Sequence, residues 1–330
     1  MRNMLKMILG TVFTSVMAMN SSAADFKICV FDIMGSNGDM MAVAKDYALA
    51  AKPWGVNIEP QIYTSLDDAV SDFESKKCQG VIADNYVMKK YNNFAGSIGA
   101  VGAINDYDLA KKVLIALGSP KLASKMKTKD HEVVGMVPFG LAYFFSKDKT
   151  INSLEKMAGK RLGVLKDDPS QQRMAKRVGI KPVFMTFDNA IAKYKNGDMD
   201  IVPAPLIVYK PFEVGKLVGS QGGVADFPIA LMTMSVVFHR GEYPADFGQK
   251  SRKWFAGKQS QFIKMVERWD ATVPKNIMYE IPEIDRKSSD LLLSQLRKEF
   301  IADKTYDGTM ITLIRHLRCN QEPNFIECKK

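Results

Sequence analysis

The sequence predicts an α/β protein of two lobes with a helical C-terminal third. Three observations carry this. Short runs rich in β-branched and aromatic residues alternate with helix-patterned stretches of about 10 to 15 residues, the rhythm of strands in a parallel sheet. The rhythm runs once from residue 25 to 148 and restarts from 149 to 237. Beyond about residue 247 the apolar positions fall at helical spacing, with long polar faces between them.

Taken in order, "FKICVFDI" reads as a strand and residues 38–53 as a helix ending at Pro53. "VNIEPQIY" is the next strand. Ser65 then opens "SLDDAVSDFESKK" as a helix N-cap, with Asp68 three residues on, much like a capping box. "CQGVIADN" is a third strand, and the Gly-rich "NNFAGSIGAVGAINDYD" is mostly loop. A helix over "YDLAKKVLIALGSPKLASKMK" leads to two strands, "HEVVGMVPF" and "LAYFFSKD". The second set follows as helix "SLEKMAGK", strand "RLGVLKD", helix "SQQRMAKRVG", strand "KPVFMT", helix "FDNAIAKYKNG" and strand "MDIVPAP". "PIALMTMSVVF" is a buried strand, too short for the ~20 apolar residues that span a bilayer. Three helices end the chain, and in the middle one Leu291, Leu292, Leu293 and Leu296 form a core-facing stripe.

The N-terminal "MRNMLKMILGTVFTSVMAMNSSAADF" has the pattern of an export leader: Arg2 and Lys6, a short apolar run, then small residues before Asp25. Cleavage near Ala24 is expected, which places the mature chain in the periplasm and lowers the net charge from +10 to +8. The lysines are scattered, and no basic stripe interleaved with aromatics points to nucleic acid. Cys29, Cys78, Cys319 and Cys328 make an even set in an exported chain, which favours disulfides. Cys319 and Cys328 close a short loop, leaving Cys29 on the first strand to meet Cys78, just ahead of the third. His131, His239 and His316 stand far apart, so neither a metal motif nor a His-assisted nucleophile is visible, and no cofactor is expected. The loop "FDIMGSNGDM" has the layout of a phosphate-binding turn, but it lacks G-x-G-x-x-G and any Walker lysine, and Asp32 and Asp39 would repel phosphate.

From Ile151 onward, "LEKMAGKRL", "VGIKP" and "AIAKYKNGDMD" occur in the order and spacing of the second lobe of TRAP-type (DctP-like) periplasmic solute-binding proteins, which the chain resembles. Upstream, "GMVPFGLAYFFSKDKTI" matches the strand that crosses between lobes. Within that superfamily "DFKICVFDIMGSNGD" and "FPIALMTMSVVFHRGEYPADFGQKSRKWF" are similar to an AdeT-like subgroup, described as RND-type efflux components linked to aminoglycoside resistance. The resemblance implies a type II, TRAP-like two-lobed periplasmic-binding-protein fold. The first lobe would be 25–148 with 238–283, the second 149–237, and helices 284–330 would pack on both. It implies a small polar solute held between the lobes and a membrane permease as partner. An accessory role beside efflux subunits is the alternative, and an exported enzyme on the same fold is a third reading. One position departs from the family: its carboxylate-gripping arginine is replaced here by Gly163, with Arg161 two residues earlier.

In such sheets ligands sit beyond the carboxyl ends of strands. This selects Asp32, Met34, Ser36, Asn37 and Asp39 after the first strand, and Asp84, Asn85 and Tyr86 after the third. In the second lobe it selects Lys166, Asp167, Asp168 and Ser170, then Pro203 and Pro205 after "MDIV". The abundance of acids suggests a cationic or polyhydroxyl solute, although aspartates at helix starts are also common caps.

Overall fold

The computed structural model describes residues 24–241 and 243–328. The leader expected over residues 1–24 lies, but for Ala24, outside them. In the first lobe β1 (Ala24–Phe31), α1 (Asp39–Ala51), β2 (Val56–Tyr63), α2 (Leu66–Glu74) and β3 (Gly80–Asp84) alternate as the apolar pattern predicts. Short helices α3 (Asn85–Met88) and α4 (Asn93–Gly96) and the longer α5 (Tyr107–Ala116) lead to β4 (His131–Ser146). The second lobe follows with α6 (Leu154–Met157), β5 (Arg161–Leu165), α7 (Pro169–Val178), β6 (Lys181–Met185), α8 (Phe187–Asn196), β7 (Ile201–Pro205), α9 (Val214–Val218) and β8 (Gly223–Ala225). The chain returns along β9 (Ala230–His239) and ends in α10 (Phe247–Asp270), β10 (Met278–Tyr279), α11 (Glu283–Ala302) and α12 (Gly308–Gln321).

One sheet carries both lobes, in the order β2-β1-β3-β9-β4-β7-β5-β6. The β1–β2, β1–β3 and β5–β6 pairs are parallel, as helical crossovers require, whereas β4 and β9 run antiparallel at the centre. Burial on both faces explains why β3 and nearly all of β9 read as unbroken apolar runs rather than alternations. Residues Met234–Phe238 of β9 pair antiparallel with β3.

Two strands were expected where β4 is one. Its ladder with β9 carries two bulges, at Val134 and at Phe139, each an extra residue without a partner opposite. Gly140, at φ 139°, lets the strand bend through the second bulge and continue into the other lobe. The first bulge is held by α10. Ser251 Oγ donates to the Val134 carbonyl at 2.8 Å, Gln259 Nε2 to that of Met136 at 2.9 Å, and Arg252 to that of Val133 at 3.1 Å. Gly135 is required here, since a Cβ would lie 2.1 Å from the Phe255 ring.

The Gly-rich loop around residues 97–104 is buried, which obliges its backbone groups to find partners. The C-terminal helices supply them. Arg297 Nη1 donates to the Val101 carbonyl at 2.6 Å, Arg318 Nη1 to that of Gly102 at 2.8 Å, and the Tyr306 hydroxyl accepts from the Val101 N–H at 3.3 Å. Both expected disulfides form: Cys29 to Cys78 with Cα atoms 5.8 Å apart, and Cys319 to Cys328 at 5.4 Å.

Candidate functional site

Between the lobes lies a cavity of about 500 Å³, open at one side. Its position follows from the topology. The carboxyl ends of β1, β2 and β3 face those of β5, β6 and β7 across the central pair, so chain leaving six strands contributes wall. The first lobe brings Phe31, Ile33, Thr64 and Ser65; the second brings the 162–165 stretch of β5, Met185, Phe187 and the 202–205 stretch of β7. Phe139, extruded by the second bulge of β4, and Phe144 form the floor together with Ala230 and Met232 of β9. Most of this wall is hydrocarbon, aromatic ring or thioether.

Few polar groups interrupt it. Gln171 Oε1 accepts the Leu165 N–H at 2.9 Å, which fixes the amide and leaves its Nε2 without a partner among the described residues. Thr64 and Ser65 carry hydroxyls, and Tyr86 donates to the Gly99 carbonyl at 3.3 Å. Among the described residues the one charged side chain on the cavity is Asp188, at the start of α8, and it reaches across to the other lobe. Its oxygens accept from the Ser65 hydroxyl at 2.8 Å, the Leu66 N–H at 3.1 Å and the Asp67 N–H at 3.4 Å. A side chain of one lobe thus caps α2 of the other, where free N–H groups and the helix dipole both favour a carboxylate. The contact is solvent-exposed and worth about 1 kcal/mol. Asp188→Ala should therefore enlarge the ligand-free chain's radius of gyration in X-ray scattering while its melting temperature moves little; an unchanged radius would show that the contact does not hold the lobes together.

Of the residues selected from sequence, Tyr86, Pro203 and Pro205 are on the main cavity. Tyr86, Lys166, Asp167 and Asp168 line a smaller recess beside it, where the two lobes touch. The other acids do local structural work. Asp32 is buried and accepts the N–H groups of Met34, Met40 and Met41, at 2.8 to 3.1 Å, so it caps α1 rather than facing a solute. Burial raises its pKa above the ordinary value despite those three donors. Gly38 is there because a Cβ would sit 1.9 Å from that carboxylate, and Ser36 and Asn37 are exposed on the turn between. Asp39 accepts from the Trp269 indole at 2.6 Å.

Asp84 is fully buried and caps α3 through the N–H groups of Tyr86 and Val87. Burial, aided by the charge of Asp168, pushes its pKa up to about 7. Asn85, also buried, accepts the Thr233 N–H at 2.8 Å. Asp168 caps α7, with one oxygen accepting both the N–H and the hydroxyl of Ser170, itself buried. Of the acids on which the expectation of a cationic or polyhydroxyl solute rested, Asp32, Asp84 and Asp168 satisfy helix N-termini. Arg161 is likewise committed: its guanidinium pairs with Asp200 at 2.6 Å and donates to the Gly197 carbonyl at the far end of β5. What sequence reasoning missed is most of the apolar wall, such as Phe31, Met185, Phe187 and Met232, whose residues look like ordinary core in one dimension.

A family model for the solute-binding protein AdeT 1/2 matches residues 48–330. The chain belongs to that family. It is 33% identical, over 299 residues, to the probable solute-binding protein AdeT1 of Acinetobacter baumannii, covering 91% of this chain and 98% of that one. Its fold is that of TRAP periplasmic solute-binding proteins. A Ralstonia eutropha member with bound (S)-2-acetolactate superimposes with a TM-score of 0.71 at 11% identity, over 90% of this chain and 99% of its own. A Haemophilus influenzae member with bound L-gulonate gives 0.70 at 16%, over 89% and 99%. The AdeT 1/2 family assignment accounts for a cavity bounded by two lobes and for the scarcity of reactive side chains around it. Among the described residues no cluster of three or more His, Cys, Asp or Glu could hold a metal ion, and no helix is long and apolar enough to cross a membrane.

Proposed function

We propose that the chain captures a small solute in the interlobe cavity and delivers it, in the periplasm, to a membrane transporter. The observation that carries this is the cavity itself: walls from six strand ends, split between two lobes, and bridged by Asp188. Only β4, β9 and the C-terminal segments connect the halves, so hinge motion opens the cavity and a bound solute favours closure. The division into lobes at about residues 148 and 233, and export with removal of residues 1–24, belong to this same proposal. The family membership supports binding rather than catalysis, and the related TRAP structures, with their acetolactate and gulonate, support a ligand of that size class.

A thermal-shift screen over small metabolites, combined with scattering on each hit, tests it. A solute that binds the native state raises the melting temperature through mass action and should also reduce the radius of gyration. Stabilisation without compaction would point to a surface site and count against the proposal.

A further inference from the structure

Resting on that reading, we infer that the solute is an uncharged molecule with an apolar body and a hydrogen-bond-accepting oxygen, and that the cavity rejects carboxylates. Phe139, Phe144, Met185, Phe187 and Met232 give it an aromatic and thioether surface, and among the described residues no Lys, Arg or His lines it. A carboxylate placed there would give up water and find no cation in exchange. Asp188 offers no remedy, having the wrong sign and both oxygens already engaged with α2.

Gly163 is buried on the wall, and a Cβ there would lie 2.6 Å from Met199 Sδ and 2.8 Å from Met185 Sδ, so thioethers fill the space next to the strand. Gln171 supplies the specificity element that remains. Its carbonyl is held by the Leu165 N–H, so the amide presents N–H donors, which match a carbonyl, hydroxyl or ether oxygen. At about 500 Å³ the cavity falls within the ordinary range for sites that enclose a drug-sized ligand.

The test uses the neutral dye N-phenyl-1-naphthylamine, whose fluorescence rises in an apolar site, displaced by benzophenone or by its carboxylate, 4-benzoylbenzoate. Benzophenone should displace the dye at a concentration at least about tenfold lower than 4-benzoylbenzoate. Ala190→Trp, which fills the cavity from α8, should abolish the saturable dye signal. Ile191→Lys, which adds an ammonium to the wall, should reverse the preference toward 4-benzoylbenzoate; the two variants fail independently if either misfolds. Equal or better displacement of wild type by 4-benzoylbenzoate, or dye binding untouched by Ala190→Trp, overturns the inference. If sugar acids or dicarboxylates instead raise the melting temperature and compact the chain, solute binding stands and the ligand class falls. If no solute of either kind does so, both fall.

Discussion

Arg252→Met should lower the unfolding free energy by about 3 kcal/mol. Arg252 and Glu132 are both almost completely buried and pair at 2.5 Å between α10 and β4. Removing the guanidinium leaves a carboxylate in the interior with the Tyr243 hydroxyl at 2.9 Å and Lys127 at 3.6 Å as its remaining partners. It also strips the Val133 carbonyl of its donor beside the first bulge. Replacing both partners, Glu132→Gln with Arg252→Met, should recover much of the loss, because the stranded charge rather than the missing attraction is what costs. Urea unfolding of the two variants decides the matter. A single variant within 0.5 kcal/mol of wild type, taking that as roughly the scatter of neutral surface changes, would mean water reaches Glu132.

The second large effect is in the pH dependence. Folded Asp84 titrates near 7, above the 3.8 of an exposed aspartate, so between those values the folded chain keeps a proton that the unfolded chain has released. Stability from this group is fully present below pH 3.8 and is lost as the pH rises through about 7. The loss is on the order of 4 kcal/mol. Asp84→Asn keeps an acceptor for the N–H groups of Tyr86 and Val87 but cannot ionise. The variant should match wild type near pH 4, gain on it steadily up to about pH 7, and hold a constant lead above that. Melting temperatures at pH 4, 6 and 8 measure the gap, and a gap independent of pH would refute the assignment to Asp84.

How much was legible in one dimension follows from what each residue answers to. Strand and helix positions answer to local pattern: "VNIEPQIY" is β2 residue for residue, and Ser65 accepts from the Asp68 N–H at 3.1 Å as its spacing suggests. Both cystines were readable because they close between adjacent elements. β4 was not readable as one strand, because Pro138 and Gly140 are breakers in isolation and only the β9 ladder shows that they flank a bulge. In the site, the rule that ligands lie beyond strand ends leads to the region where the interlobe cavity lies. It then drew attention to polar residues, and polar residues at helix starts serve the backbone first, as Asp32, Asp84 and Asp168 do. The residues that form the wall, such as Phe144 and Met185, carry no sign in sequence that they face a void rather than a neighbour.

The two extra residues of β4 also set a parity. Even-numbered residues of β9 lie opposite Glu132 before the first bulge, opposite Gly135 and Val137 between the bulges, and opposite Gly140 and Ala142 after the second. Each bulge swaps odd for even, and the pair restores the original phase. If either bulge were smoothed out with its residue kept, every residue beyond it would slide one place along β9, and Ala142 and Phe144 would turn to the opposite face of the sheet. Deleting Val134 or Phe139 would instead leave each remaining residue opposite its present partner, so this strand can shorten at its bulges, whereas a residue gained or lost elsewhere in it shifts the register of the central ribbon.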